Sequence, residues 1–129
     1  MARPDNLKYT KTHEWIRMDG DVAEIGITDH AVEPLGDLTF VELPPVGTSV
    51  ARDDRFGEIE STKTVSDLYA PAAGEVVAIN DGLESDVSPV AESPFESGWL
   101  VRIRVSDPSE LDGLLSAAGY QALIDAEEH

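Results

Sequence analysis

The chain contains no cysteine. Disulfides, thiolate metal sites and cysteine nucleophiles are excluded, and any sulfur chemistry must arrive on a cofactor. Basic residues are scarce, nine Lys and Arg against 26 Asp and Glu, for a net charge of −17. Nucleic acid and anionic membranes need clustered cations, so neither is expected as a partner. A basic protein face suits this charge, with association that weakens as salt rises. Long apolar runs are missing too. Val76-Val77-Ala78-Ile79 is typical of the longest, far short of the roughly 20 residues that span a bilayer. Met1 to Thr10 has neither the apolar stretch of a secretion signal nor the Arg- and Ser-rich pattern of a transit peptide, so a cytoplasmic location is expected. There is no G-x-S-x-G elbow and no Gly-rich phosphate loop. His13, His30 and His129 have no close-spaced partner in an H-x-x-H pattern, so no metal site is expected.

What is present is enough for one core. At 129 residues and 41% hydrophobic, residues 1–129 read as one domain that hides roughly two-thirds of its unfolded surface. The acid is a solvated coat rather than a sign of disorder.

Strand periodicity dominates. Residues 13–18 and 21–27 flank Asp19-Gly20, a hairpin turn signal, with Ala23, Ile25 and Ile27 on one face. Residues 37–43 form a third run, stopped by Pro44-Pro45. Residues 55–60 and 65–70 are two more, and Pro71-Ala72-Ala73-Gly74 turns the chain into 75–80. The last alternates most clearly, with Trp99, Val101, Ile103 and Val105 inward and Arg102 and Arg104 outward. Many short strands between Gly and Pro predict a small antiparallel barrel or sandwich. Trp15, Phe40, Phe56 and Trp99 are assigned to its core.

Helical signal is confined to short stretches. Asp107-Pro108-Ser109-Glu110 comes close to a capping box, and Leu111, Leu114, Leu115 and Ala118 follow at helical spacing. One broken helix or two short ones fit equally well across Gly119. Asp125-Ala126-Glu127-Glu128 sets acid against the negative end of the helix dipole, so residues 126–129 are expected to fray, as are residues 1–6. Another short helix starts at Thr28, limited by Pro34. Residues 81–97 read as an acidic loop.

Of only three lysines, Lys63 alone sits where two strand runs meet, in Glu60-Ser61-Thr62-Lys63-Thr64. A hairpin tip presents one side chain to solvent on a rigid base, and the neutral ε-amine is a nucleophile on a flexible stem. That suits enzymatic acylation of one chosen amine. From spacing alone an ordinary exposed turn lysine is the commoner reading.

Gly57-Glu58-Ile59-Glu60-Ser61-Thr62-Lys63-Thr64-Val65-Ser66-Asp67-Leu68-Tyr69-Ala70-Pro71 resembles the lipoylation segment of the glycine cleavage system H proteins. Tyr9 to Trp15, Gly26 to Ala31, Leu35 to Pro44, Gly74 to Val77, Ser93 to Phe95 and Gly98 to Leu100 are similar to further blocks of that family, in the same order. The blocks cover about residues 7–124. The resemblance implies a mainly β fold, two antiparallel sheets in a barrel-sandwich hybrid with short helices and a helical C-terminal segment. It implies a non-catalytic carrier with lipoic acid in amide linkage on Lys63. The implied partners are a pyridoxal-phosphate glycine decarboxylase, a tetrahydrofolate-dependent aminomethyltransferase, an FAD-dependent dihydrolipoamide dehydrogenase and a lipoyl-attaching enzyme. The carrier shuttles an aminomethyl intermediate between the first two and is reoxidised by the third.

The same resemblance puts Thr12, Glu14 and Asp67 where they shelter that intermediate, and Glu60 and Ser61 where the attaching enzyme reads the tip. Their plain readings are surface acids for Glu14 and Asp67, and turn chemistry for Ser61. Pro34, Ala91, Phe95 and Thr62 depart from the family pattern, leaving the lipoylation segment intact. An H-like relay that donates lipoyl groups to other complexes is the alternative function. A biotinyl module would carry Met beside the lysine, where Thr62 and Thr64 stand. A hydrolase using Glu14 and Asp67 as acid and base would turn over without any cofactor.

Overall fold

The computed structural model describes Pro4 and residues 6–127. Among these described residues, nine strands form two antiparallel sheets. The larger has the order β1 (Lys8–Tyr9), β2 (Glu14–Asp19), β3 (Val22–Ile27), β9 (Val101–Val105), β8 (Gly74–Ile79) and β5 (Ser49–Val50). The smaller has β4 (Leu38–Glu42), β6 (Arg55–Ser61) and β7 (Val65–Tyr69), with β6 in the middle. The main core lies between them. Ile16, Ala23, Ile25, Val76, Val101 and Ile103 from the large sheet meet Val41, Ile59 and Leu68 from the small one. This is the expected two-sheet arrangement.

Local chemistry accounts for most of the elements. Asp19 pairs with Val22, leaving Gly20-Asp21 as the loop. Gly20 has φ +65, a conformation that glycine adopts without steric cost. The turn is thus centred one residue later than Asp19-Gly20 suggests. Ala23, Ile25 and Ile27 are buried together, as are Val101, Ile103 and Val105. Thr28 caps α1 (Asp29–Val32) by accepting from the Ala31 N–H, and Pro34 turns the chain into a 3₁₀ turn over Glu33–Leu35. Two-residue strands β1 and β5 are too short to show a period and escape the sequence pattern. The 81–97 segment is not all loop: it holds a 3₁₀ turn at Asp81–Glu84 and α2 (Ser88–Glu92).

The C-terminal region resolves into two pieces. A 3₁₀ turn, Pro108–Leu111, is capped by Asp107, and α3 runs Ala117–Glu127. Glu110 completes no capping box; it accepts from the Ala73 N–H at 3.0 Å instead. Leu115 breaks the helix because its backbone pairs with Tyr9. Helix α3 continues through Ala126 and Glu127 despite the acid at its end. The rest of the expected fraying, at residues 1–3, 5, 128 and 129, lies outside the described residues. No described helix is long and apolar enough to cross a membrane.

A second, smaller core fixes α3 to the large sheet. It contains Leu7, Tyr9, Trp15, Phe95, Tyr120 and Ile124. Tyr9 and Tyr120 stack at 4.9 Å, and Trp15 donates its indole N–H to the Pro94 carbonyl at 2.8 Å. Phe95, one of the departures from the family pattern, is therefore a core residue against Trp15. The core assignment holds for Trp15 and Phe56 and fails for Phe40, which is 42% exposed. A bulge between Leu38 and Phe40 shifts the strand's alternation, so that Val41 is buried and Phe40 faces out. Trp99 is half-buried under the Arg102 guanidinium, 4.1 Å from its ring centre.

Candidate functional site: a hairpin-tip lysine and a cleft acid

Strands β6 and β7 pair from Arg55–Tyr69 up to Glu60–Val65, leaving a short connection that carries Lys63. Ser61 closes it. The Ser61 N–H donates to the Thr64 carbonyl at 2.9 Å, and the Ser61 hydroxyl accepts from the N–H groups of Lys63 and Thr64 at 3.2 and 3.1 Å. Thr62 N–H donates to the Asp37 carbonyl at 3.0 Å, tying the tip to the chain before β4. Lys63 is exposed on this stiff tip. Its side chain lies over Gly36, where an added Cβ would sit 3.6 Å from Lys63 Cε. The structure thus shows turn chemistry for Ser61. Glu60 is registered between Phe40 on β4 and Val65 on β7, so a half-buried acid sits between two exposed apolar side chains.

Glu14 starts β2 and is only 2% exposed. It accepts hydrogen bonds from the hydroxyls of Thr10, at 2.8 Å, and Thr12. The loop that makes this possible is tight: the His13 N–H donates to the Thr10 carbonyl, and His13 takes φ +72. A Tyr69 backbone N–H reaches Glu14 from the other sheet. Burial nevertheless wins over these donors and pushes the Glu14 carboxyl up to about 7. Glu14 lines a cleft of about 340 Å³ with Thr10, Thr12, Arg52, Asp53 and Tyr69. Glu14 is therefore a buried cleft acid, and its reading as a surface acid is overturned.

Asp67 does not line that cleft. It is exposed on β7 and accepts from Arg55 Nε at 2.9 Å and from the Tyr69 hydroxyl at 3.4 Å. Tyr69 touches both acids, through its backbone at Glu14 and its hydroxyl at Asp67. Sequence reasoning missed Thr10, Tyr69 and Arg55, because their roles depend on cross-strand neighbours. Alternation along β7 does put Val65, Asp67 and Tyr69 on one face, which points to Tyr69.

The buried carboxyl has a stability consequence. A folded-state value above the ordinary 4.5 means that the folded chain holds the proton more tightly. The stabilisation is complete below about 4.5 and is lost as pH rises through about 7. The full span corresponds to about 3 kcal/mol. Glu14→Gln mimics the protonated form. Urea unfolding at pH 5 should find variant and parent within about 1 kcal/mol, while at pH 8 the variant should be more stable by about 3 kcal/mol. A gap that does not change with pH would refute the burial effect.

The glycine cleavage H-protein family model matches residues 7–127. The chain belongs to the glycine cleavage H-protein family. Its role is that of a lipoyl carrier in the glycine cleavage system. It is similar to the glycine cleavage system H protein of Myxococcus xanthus, 51% identical over 121 residues, which is 94% of each chain. That of Staphylococcus carnosus is 49% identical over 96% of this chain and 98% of its own. A crystal structure of a glycine cleavage system H protein from Mycobacterium marinum superposes with a TM-score of 0.87 at 41% identity, covering 95% of this chain and 99% of that one.

Proposed function

We propose that Lys63 is the residue to which lipoic acid is joined, and that this chain is a non-catalytic carrier. The observation that carries the reading is one exposed lysine on a hydrogen-bonded hairpin tip, beside a glycine that leaves room for its side chain. The residues fit an attached arm. Ser61 and the Asp37 carbonyl brace the tip, and Gly36 leaves its flank open. When attached, the group supplies the thiol–disulfide chemistry that this cysteine-free chain lacks.

Charge and distance support roles for the acids. Asp67 lies four residues beyond Lys63, roughly 13 Å of extended strand, and Tyr69 roughly 20 Å. Lysine and lipoate together reach on the order of 15 Å. Asp67 is within that reach, while the Tyr69 backbone beside Glu14 lies roughly 5 Å beyond it, a gap that the cargo carried past the ring has to span. Asp67 and Glu14 accept a cationic amine from the cargo by charge-assisted hydrogen bonds, Thr12 orients Glu14, and the cleft walls limit access of water. Arg55 holds Asp67 until a cation displaces it.

The partners proposed are glycine decarboxylase with pyridoxal phosphate, aminomethyltransferase with tetrahydrofolate, dihydrolipoamide dehydrogenase with FAD, and a lipoyl-attaching enzyme. The last reads Glu60 and the exposed side chains of Phe40 and Val65 beside it. Glu60→Gln combined with Phe40→Ala should slow lipoylation by roughly tenfold, or about 1.4 kcal/mol. Being on the outer face, the changes should leave the melting temperature nearly unaltered. An unchanged rate would remove these residues from recognition.

Intact mass tests the attachment itself. Chain made in a lipoate-supplied host should gain the mass of one lipoyl group, and Lys63→Arg should gain none. A bare parent chain, or a modified variant, would overturn the assignment.

A further inference from the structure

The two described histidines stand 17 positions apart in sequence, yet the fold brings them together. His13 comes from the tight loop before β2 and His30 from α1, with ring centres 5.1 Å apart. The last turn of α3 brings Glu127. Its carboxylate oxygen lies 3.8 Å from His13 Nε2 and 4.0 Å from His30 Nε2. One ligand atom from each residue falls within 4.8 Å of the others. Among the described residues this is the grouping that can hold a metal ion. We propose that His13, His30 and Glu127 form a binding site for a zinc-type divalent ion.

The chemistry and the distances agree. Two imidazole nitrogens and one carboxylate suit zinc and its first-row neighbours rather than calcium or magnesium. Ligand atoms around tetrahedral zinc stand roughly 3.2–3.5 Å apart. Closing the gaps needs small rotations of the exposed Glu127 side chain and of the half-buried His30 ring, while His13 stays held by Tyr120. A fourth position remains for water.

Two further features point to a cation. The first is support behind a ligand. Tyr120, fully buried, lies 2.7 Å from His13 Nδ1 through its hydroxyl, and the same hydroxyl lies 2.7 Å from Thr28 Oγ1. With Nδ1 donating to Tyr120 and Tyr120 donating to Thr28, Nε2 is the nitrogen that meets the ion. Such outer partners orient metal-binding histidines. The second is the helix end. Asp125 and Glu127 sit at the negative end of α3, where acids are unfavourable and a cation is favoured. A bound ion resolves that conflict and ties α3 to the loop that carries Thr12 and leads into Glu14. This inference does not depend on the role of Lys63.

The test uses the full chain without an affinity tag, stripped with chelator and titrated with zinc sulfate by calorimetry. One ion per chain should bind with micromolar or tighter affinity. Saturation should raise the melting temperature by roughly 5–10 °C. Cobalt should give the visible absorption of a four-coordinate site. His30→Gln and Glu127→Gln should each weaken binding at least tenfold, and Glu127 is exposed enough for its variant to fold. No saturable binding would overturn the proposal. So would binding unaltered in both variants, or binding lost only in His129→Gln.

Discussion

Replacing Lys63 with arginine should reduce glycine-dependent CO₂ release in the reconstituted system to the level seen without the chain. The expected loss is complete because the substitution removes the reactive group and little else. Lys63 is exposed, so the variant should unfold within about 0.5 kcal/mol of the parent. Charge is retained, so docking on basic partner faces is retained too. Guanidinium keeps its proton throughout the working pH range and is no substrate for acylation. Free lipoamide is a poor replacement, because a tether holds the group near its docking sites at an effective concentration in the millimolar range. Substantial activity in the variant, at micromolar free lipoamide, would move the attachment to Lys8 or Lys11 and end the Lys63 account.

Trp15→Ala should have the largest effect on stability. The side chain is fully buried, and its indole lies across Gly26 so closely that a Cβ there would sit 2.5 Å from the ring. It packs on Phe95, and the Arg17 guanidinium lies 5.1 Å from its ring centre. Truncation leaves a cavity and an unpaired Pro94 carbonyl. Large-to-small changes of this kind cost about 3–5 kcal/mol. Out of a total of about 5–15 kcal/mol, that is a large share. The melting temperature should fall by roughly 10–20 °C. Trp15→Phe keeps most of the packing and loses the hydrogen bond, costing about 1–2 kcal/mol beyond the lost volume. Urea unfolding of both variants separates packing from hydrogen bonding. A loss under about 1 kcal/mol for the alanine variant would mean that the second core collapses readily around the gap.

The parts legible in the sequence are those set by neighbours along the chain. Alternation from Val101 to Val105 and the Gly20 turn need only the strand period and one flexible residue. The hairpin-tip position of Lys63 was legible because Glu60-Ser61-Thr62-Lys63-Thr64 interrupts two runs that must pair. What escaped depends on contacts across the fold. Phe40 faces solvent because a bulge shifts the register between Leu38 and Phe40, and no local pattern announces it. The strong perturbation of Glu14 comes from burial under a loop and beside Tyr69 on another sheet. Asp67 is occupied by Arg55, twelve residues earlier on the adjoining strand. His13 and His30 meet only when β2, α1 and α3 are assembled.

Asp67 and the hairpin connection that carries Lys63 belong to the three-stranded sheet, while Glu14 belongs to the six-stranded one. An amine gripped by both acids would therefore act as a reversible rivet between the two halves of the sandwich. Loaded protein with its arm folded down should resist sliding of the halves, and amide exchange near Tyr69 should slow. Swinging the arm out toward an enzyme would release the rivet, so delivery and loosening of the scaffold become one event.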